Sequence, residues 1–371
     1  MRIAHVSDCY LPRTGGIETQ VRSLALAQAS RGDDVRIITA SPGHDGVRAG
    51  RDVVDGLPVD RIAMALPGEI PIHLRTRAHV VESLRAAPVD VVHVHAGVVS
   101  PFAWGAVRAA HELGVPVIVT VHSVWGPLAR PAFRGSDALV RWSSWGVVLT
   151  AVSEVAAAQM RASVGVPVGV LPNGIDARAW READDGWNPE PGALRVVSVL
   201  RLAPRKRVGP LLRVIARAGV LLGPSVHVRT CLIGSGPERG RAERLARRLG
   251  IDVDFAGRLS SAQIRERFAQ ADVFAQASVR ESFGIAALEA RAFGLPVVAR
   301  SQSGTGEFVA DGVNGLLAAD DAGLAAALAS LGRDSSALAR MRAYNRSHEP
   351  EQTWPHVCEL ALAYYRQAGA A

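Results

Sequence analysis

The sequence predicts an α/β protein built from two doubly wound, Rossmann-like domains that face each other across a cleft. Three observations carry this. Short runs rich in Val and Ile alternate with longer amphipathic runs, the pattern halts once at a polar stretch bearing Gly and Pro, and it then restarts. At 371 residues the chain is also too long for one ordinary core.

In the first half, "RIAHVSD" reads as a strand and "IETQVRSLALAQASRG" as a helix, followed by the strands "DVRIITA", "DVVHVHA", "PVIVTVH", "VVLTAV" and "VGVLPNG". Runs that are apolar throughout fit strands buried on both faces, and their alternation with helices implies a parallel sheet. This gives a first domain over residues 1–177. The stretch "RAWREADDGWNPEPG" reads as a linker over 178–191. A second domain over 192–348 holds the strands "LRVVSVLRL", "VHVRTCLIGSG", "DVDFAG", "DVFAQAS" and "PVVARS", interleaved with helices such as "ERGRAERLARRLG" and "SAQIRERFAQA". In such sheets ligands bind beyond the carboxyl ends of the strands, so the loops there are the candidate site.

Bulk composition narrows the function. Three cysteines, far apart, fit free thiols in a reducing compartment, and the N-terminus "MRIAHVSDCY" lacks a basic leader and h-region, so a cytoplasmic location is expected. The net charge of +7 suits anionic small molecules or a lipid surface. The basic residues are too diffuse for nucleic acid, and no zinc-finger spacing occurs. The segment Ile70–Arg85 could form a helix with Leu74, Ala78, Val81 and Leu84 on one face and His73, Arg75, Arg77 and Arg85 beside it. It is read as core-packed in preference to a peripheral contact with anionic membrane.

The motifs sit at strand ends. "TGGIE" (Thr14–Glu18) follows the first strand and opens a helix, with Gly15 and Gly16 leaving room for an anion or serving only as a turn. "VLRLAPRKR" (Val199–Arg207) brings Arg201, Arg205, Lys206 and Arg207 to one loop, where guanidinium and ammonium groups can clamp a diphosphate. "IGSGPERG" (Ile233–Gly240) is either a phosphate-touching turn or a tight connection. "RESFGIAALEA" (Arg280–Ala290) places Glu281 before a helix start at Gly284 and Glu289 one turn inside it. The N–H groups of Phe283, Gly284 and Ile285 would then be open to phosphate or a sugar oxygen, with Ser282 beside them. Carboxylates repel phosphate but accept hydrogen bonds from vicinal hydroxyls. A ligand with a diphosphate in its middle and diols at both ends is a nucleotide sugar. Glu281 and Glu289 alternatively serve as a loop charge and a favourable partner of the helix dipole.

His93 and His95 flank Val94 on one face of a strand, but no third ligand stands at useful spacing, so no metal is expected. His122 ends another strand and is placed either to bond a sugar hydroxyl or to fill a structural role. "DVD" (Asp252–Asp254) opens a strand and is read as a turn, not a metal-nucleotide motif. The segments "SPGHDGVRAGRDVVDG" and "VWGPLARPAFRGSD" are expected to border an acceptor. Trp125, Phe133, Trp142 and Trp145 either stack on a sugar or lipid or fill the core.

The set "ESFGIAALEA", "GLPVVA", "GVNGLL", "PNGID", "RLAPRKR", "FAGRLS", "GGIE" and "TVHS" resembles, over nearly the whole chain, the retaining glycosyltransferases of family 4, which have the GT-B fold. The resemblance implies a metal-independent hexosyltransferase needing no cofactor beyond its nucleotide-sugar donor, of GDP-mannose or UDP-glucose type, with a glycan, lipid-linked or small-molecule acceptor. Arg201 and Lys206 would hold the diphosphate, Glu281 the donor sugar and Glu289 the ribose. Gly16 would approach the phosphate or acceptor, and His122 would face the sugar and its acceptor. The last helix, within 349–371, would cross back to the first domain. One position departs from the family: the common "RKG" is "RKR" here, with Arg207 in place of glycine. A nucleotide-sugar epimerase of similar fold and a non-catalytic nucleotide-sugar binder are the rival readings.

Overall fold

The computed structural model describes residues 1–370 except 14, 44–45, 47–48, 64–72, 74, 98–99, 126–130, 132–134, 136–141 and 182–186. Two compact units result, one of Met1–Gly174 with Gln352–Ala371 and one of Ile175–Glu351.

Unit 1 is an eight-stranded sheet. Its strands are β1 (Arg2–Ser7), β2 (Asp34–Thr39), β3 (Ala49–Val54), β4 (Leu57–Ile62), β5 (Val91–Ala96), β6 (Val117–Val121), β7 (Val148–Ala151) and β8 (Gly169–Val170). Their spatial order is β3-β4-β2-β1-β5-β6-β7-β8. All pairs are parallel except β3 with β4. That hairpin differs from the wholly parallel sheet expected. It turns at Asp55 and Gly56, both at positive φ, and an Asp-Gly pair is what such a turn requires. β3 and the turn occupy the end of the segment assigned above to an acceptor loop.

The apolar runs are buried on both faces, as their composition demands. Ala4, Val6, Val92, Val94, Val119 and Val121 point to one core with Phe102 and Val107 of the helix Pro101–Glu112. Ile3, Ile37, Val91 and Ile118 point to the other, beneath the helices Gly16–Ser30 and Trp354–Gln367. The helix Thr76–Ala86 buries Val80 and Leu84 in the first of these cores. Ala78, assigned above to its apolar face, is exposed. The inner side of this helix is thus committed to the protein, and Leu74 lies outside the described residues. Among the described residues no helix is long and apolar enough to cross a membrane.

Unit 2 holds six parallel strands, β9 (Ala193–Val199), β10 (His227–Ile233), β11 (Asp252–Gly257), β12 (Val273–Ala275), β13 (Val297–Arg300) and β14 (Gly315–Ala318), in the order β11-β10-β9-β12-β13-β14. β12 is shorter than "DVFAQAS" suggests, so the loop leading to Glu281 begins at Gln276. Within the stretch read as a linker, the short helix Ala177–Arg181 buries Trp180 against Phe268, at 5.7 Å between ring centroids.

The last helix closes unit 1. Tyr364 bonds the backbone of Val170, and the Gln20 amide bonds both the N–H and the C=O of Gly174. A methyl group on Gly174 would strike the Trp354 ring. Gly174→Ala should therefore destabilise the fold by about 1–3 kcal/mol. Differential scanning calorimetry would register this as a lower melting temperature, and an unchanged melting curve would show that Trp354 is not clamped there.

Candidate functional site

Strand order fixes where unit 2 can hold a ligand. β9 pairs with β10 on one side and β12 on the other, so consecutive connections leave its carboxyl end in opposite directions. The crevice at such a switch point is bordered by the loops after β9 and β12. Those loops carry the two richest motifs in the sequence.

After β9 the chain runs through Arg201, which is exposed and makes no ion pair among the described residues, to a 3-10 turn at Pro204–Lys206. Lys206 Nζ donates to Glu281 Oε2 at 2.6 Å, and the Ser278 hydroxyl donates to the Lys206 carbonyl at 3.2 Å. The two loops are thus joined by charge and by backbone. Arg207, where the family has glycine, takes φ 56° and ψ 43°. The turn therefore keeps the left-handed shape that glycine adopts freely, at a cost of about 1–2 kcal/mol for a residue with Cβ. Its guanidinium pairs with Asp321 at 2.6 Å, and Asp321 also receives Arg300 at 2.7 Å.

The glycines of "IGSGPERG" serve close packing. A Cβ on Gly234 or Gly236 would collide with the backbone of Leu200 or Leu202, and Leu202 exchanges backbone hydrogen bonds with Ser235 and Glu238. This turn buttresses the Arg201 loop.

The loop after β12 ends in a helix start. Glu281, Ser282, Phe283 and Gly284 are buried. Gly284 adopts φ 95° and caps the helix Ile285–Phe293, which closes on Gly294. Phe283 packs on Phe308, and Gly304 N–H donates to the Glu281 carbonyl at 2.9 Å. Gly304 has no room for a Cβ, because the Ser282 carbonyl lies against it. Among the described residues, the N–H groups of Phe283, Gly284, Ile285 and Ala286 meet no acceptor. Open N–H groups at a helix start attract anions.

Glu289 stands one turn inside that helix. It makes no hydrogen bond or ion pair among the described residues, and part of it still reaches solvent. Burial among its neighbours pushes its carboxyl up to about 8. Such a carboxyl suits hydroxyl partners that a ligand would supply.

In unit 1, Gly15 is extended and Gly16 opens the first helix, both exposed. The buried Glu18 carboxylate folds back against Gly15, where a Cβ would push it aside, and Arg13 lies 3.7 Å from it. Thr14 lies outside the described residues. Trp125 and Trp142 belong to the core, which decides between the two readings of them, and Trp145 stacks on His111 at 4.6 Å. Phe133 and most of 124–137 lie outside the described residues.

His122 follows β6 and joins an imidazole cluster. His95 Nδ1 and His122 Nε2 are 3.0 Å apart, and His5 Nδ1 and His95 Nε2 are 2.9 Å apart. The Asn173 side chain of "PNGID" also bonds His122. Burial pushes His5 and His122 down to about 4, and His93 and His95 well below the usual imidazole value. All four are neutral near pH 7. The ligand atoms of His5, His93 and His95 lie within 4.8 Å of one another. His5 is the third imidazole that spacing alone did not reveal. Both ring nitrogens of each of these three are already hydrogen-bonded, and the group includes no carboxylate to offset a buried cation.

Asp8 is another residue that sequence reasoning passed over. It lies just past β1, buried, and accepts from Ala103 N–H at 3.4 Å, while burial pushes its carboxyl up to about 6. The signal was available in its place at the end of a central strand.

A doubly wound sheet whose switch point offers a lysine, an arginine, open N–H groups and carboxylates defines a class: α/β enzymes that bind phosphorylated, hydroxyl-rich substrates. Two family models match, "Glycosyltransferase Family 4" over residues 14–179 and "Glycosyl transferases group 1" over 181–348. A D-inositol 3-phosphate glycosyltransferase of Mycolicibacterium smegmatis is 30% identical, the match covering 98% of this chain and 89% of the relative. A GDP-mannose-dependent alpha-mannosyltransferase of the same organism is 28% identical over 98% of this chain and 97% of its own. Among solved structures, Anabaena HepE in complex with UDP superposes with a TM-score of 0.75 at 19% identity, covering 99% of this chain and 100% of that one. A glycosyltransferase from Rickettsia africae gives 0.74 at 17%, over 99% and 98%. The chain belongs to glycosyltransferase family 4, and it has the GT-B fold. It is a glycosyltransferase that uses a nucleotide-sugar donor.

The raised carboxyl of Glu289 has a consequence for stability. Ionising it costs the folded state, so stability that is full below the ordinary carboxylate range near 4.5 is lost as pH climbs towards about 8. Glu289→Gln removes that loss. The variant should melt several degrees above wild type near pH 8 and close to it near pH 4.5, in thermal scans at both values. A difference that does not change with pH would mean the carboxyl titrates normally.

Proposed function

We propose that the protein is a retaining hexosyltransferase, moving a hexose from a GDP-mannose- or UDP-glucose-type donor to a hydroxyl of a glycan, lipid-linked or small-molecule acceptor without a divalent metal. The observation that carries this reading is the Lys206–Glu281 contact at 2.6 Å beside a helix start with open N–H groups. Cation, N–H donors and carboxylate meet there, and a sugar diphosphate presents groups complementary to each.

In this reading Arg201 and Lys206 hold the diphosphate, and the N–H groups of Phe283, Gly284 and Ile285 take further oxygens, with Ser282 alongside. Negative charge on the leaving diphosphate grows as the glycosidic bond breaks. Fixed donors aimed at that charge stabilise the transition state and do the work a metal would otherwise do. Glu281 accepts from donor-sugar hydroxyls while its contact with Lys206 keeps it aimed. Glu289 accepts from the ribose diol. The acceptor attacks from the face the diphosphate leaves, through a short-lived oxocarbenium-like state. Neither glutamate plays the acid or nucleophile of a glycosidase pair. His122 bonds the sugar or its acceptor. The carboxylate of Glu18 beside Gly15 disfavours a second phosphate near Gly16, which supports hydroxyl contact there. Contact with anionic lipid has little support, because Val80 and Leu84 are buried.

The test is a thermal-shift panel of GDP-, UDP- and ADP-sugars with a chelator present, followed by transfer assays. One nucleotide family should raise the melting temperature. Lys206→Ala should abolish the shift and lower kcat by about 10²-fold or more. The product's anomeric carbon, read by NMR, should keep the donor's configuration. Epimerised donor without transfer would establish the epimerase, binding without turnover the non-catalytic binder, and no shift with any sugar nucleotide would end the donor-site reading.

A further inference from the structure

The buried polar groups of unit 1 form one continuous chain, and its direction can be worked out from a single end. The Thr150 hydroxyl lies 3.3 Å from the Val119 carbonyl, which can only accept. Thr150 therefore donates there and must accept from the Thr120 hydroxyl at 2.7 Å. Thr120, having given its proton, accepts from His93 Nε2–H at 2.7 Å. His93 is neutral and has one ring proton, so its Nδ1 accepts from the Tyr365 hydroxyl at 2.8 Å. Tyr365 then accepts from the Gln28 amide N–H at 2.9 Å. This fixes the orientation of the Gln28 side chain, whose carbonyl accepts from His5 Nε2–H at 2.7 Å. His5 Nδ1 accepts from His95 Nε2–H, and His95 Nδ1 accepts from His122 Nε2–H.

A reversed chain would satisfy every link from His122 to Thr120. It would fail only at Thr150, which cannot donate to Thr120 and to the carbonyl of Val119 together. We infer that this one-way chain, anchored at Thr150 and relayed through Tyr365 and Gln28, sets the tautomer of His122: the proton sits on Nε2, and Nδ1 is an acceptor only. Gln28, His5, His95, Tyr365 and Thr150 are then positioning residues acting through His122. His5, His93 and His95 are buried and His122 is half-buried, and desolvation lowers the pKa of all four, so each carries one ring proton near pH 7. For the reaction, His122 accepts a hydrogen bond from a hydroxyl and cannot donate from Nδ1. This consequence rests on the proposed place of His122 beside the sugar; the tautomer does not.

The experiment is ¹⁵N NMR of the full chain labelled at histidine, with His122→Gln used to assign the signal. Wild type should show His122 with a pyrrole-type Nε2 and a pyridine-type Nδ1. Thr150→Val, isosteric and remote from His122, should give mixed tautomers, and Thr150→Ser should restore one. Tyr365→Phe provides a second break in the chain. Gln28→Met should also mix the tautomers, whereas Gln28→Glu, whose carboxylate still accepts from His5, should keep Nε2–H. In transfer assays the mixing variants should lose on the order of tenfold to a hundredfold in kcat, with donor KM near wild type. An Nδ1–H tautomer in wild type overturns the inference, as does a single unchanged tautomer in both Thr150→Val and Tyr365→Phe. Tautomers that behave as described alongside unchanged kcat would instead remove His122 from the reaction and leave the relay standing.

Discussion

The 2.6 Å contact between Lys206 and Glu281 joins two loops that the chain separates by three helices and three strands. Each loop leaves a neighbouring strand, β9 or β12, and nothing in local propensity would aim both at one point. The sheet order does so. A cation alone at that place would be a solvated point charge, and a carboxylate alone would repel the phosphate it stands beside. Paired, they neutralise each other while empty and present opposite chemistry side by side to a ligand that has both diphosphate and hydroxyls. The helix start after Gly284 then adds N–H groups without adding charge. Around this pair the remaining features fall into place: Gly234 and Gly236 bring one supporting turn against the Arg201 loop, and Gly304 brings another against Ser282.

The alternation of buried strands and helices was legible because both faces of each sheet are covered, so apolar runs appear without interruption. The β3–β4 hairpin was not. Its outer strand, β3, lies at the sheet edge, where Arg51 and Val53 are exposed, and its mixed composition reads as loop. The Asp55-Gly56 turn was its only signal. The basic loop, the glutamate pair and the glycine turns could be named from residue type and spacing, since strand ends are where chemistry collects. What spacing could not supply was contact. That Lys206 reaches Glu281, that Gly236 packs against the backbone of Leu202, and that Glu289 meets no partner among the described residues all depend on strand order.

Arg207 shows how a departure from pattern can leave geometry intact. The glycine expected there supplies a left-handed turn cheaply, and the arginine adopts the same dihedral angles. An ion pair with Asp321 offsets part of the strain. The histidines show the reverse case. His5, His93 and His95 share a face by strand parity, which is readable, but their meaning lay in Gln28 and Tyr365, far away in sequence and contributed by two helices.

The polypeptide path has a consequence for biosynthesis. Residues 352–371 complete the core of unit 1, laying Val357, Ala361 and Tyr365 beside Val21 and Leu24, whereas unit 2 is one uninterrupted stretch. As the chain leaves the ribosome, the second unit can reach its final packing while the first, made earlier, still shows the apolar groove that awaits the last helix. Folding order is thus inverted with respect to translation order. The half that emerges first keeps apolar surface exposed longest, and premature termination before Gln352 would strand it with an open core.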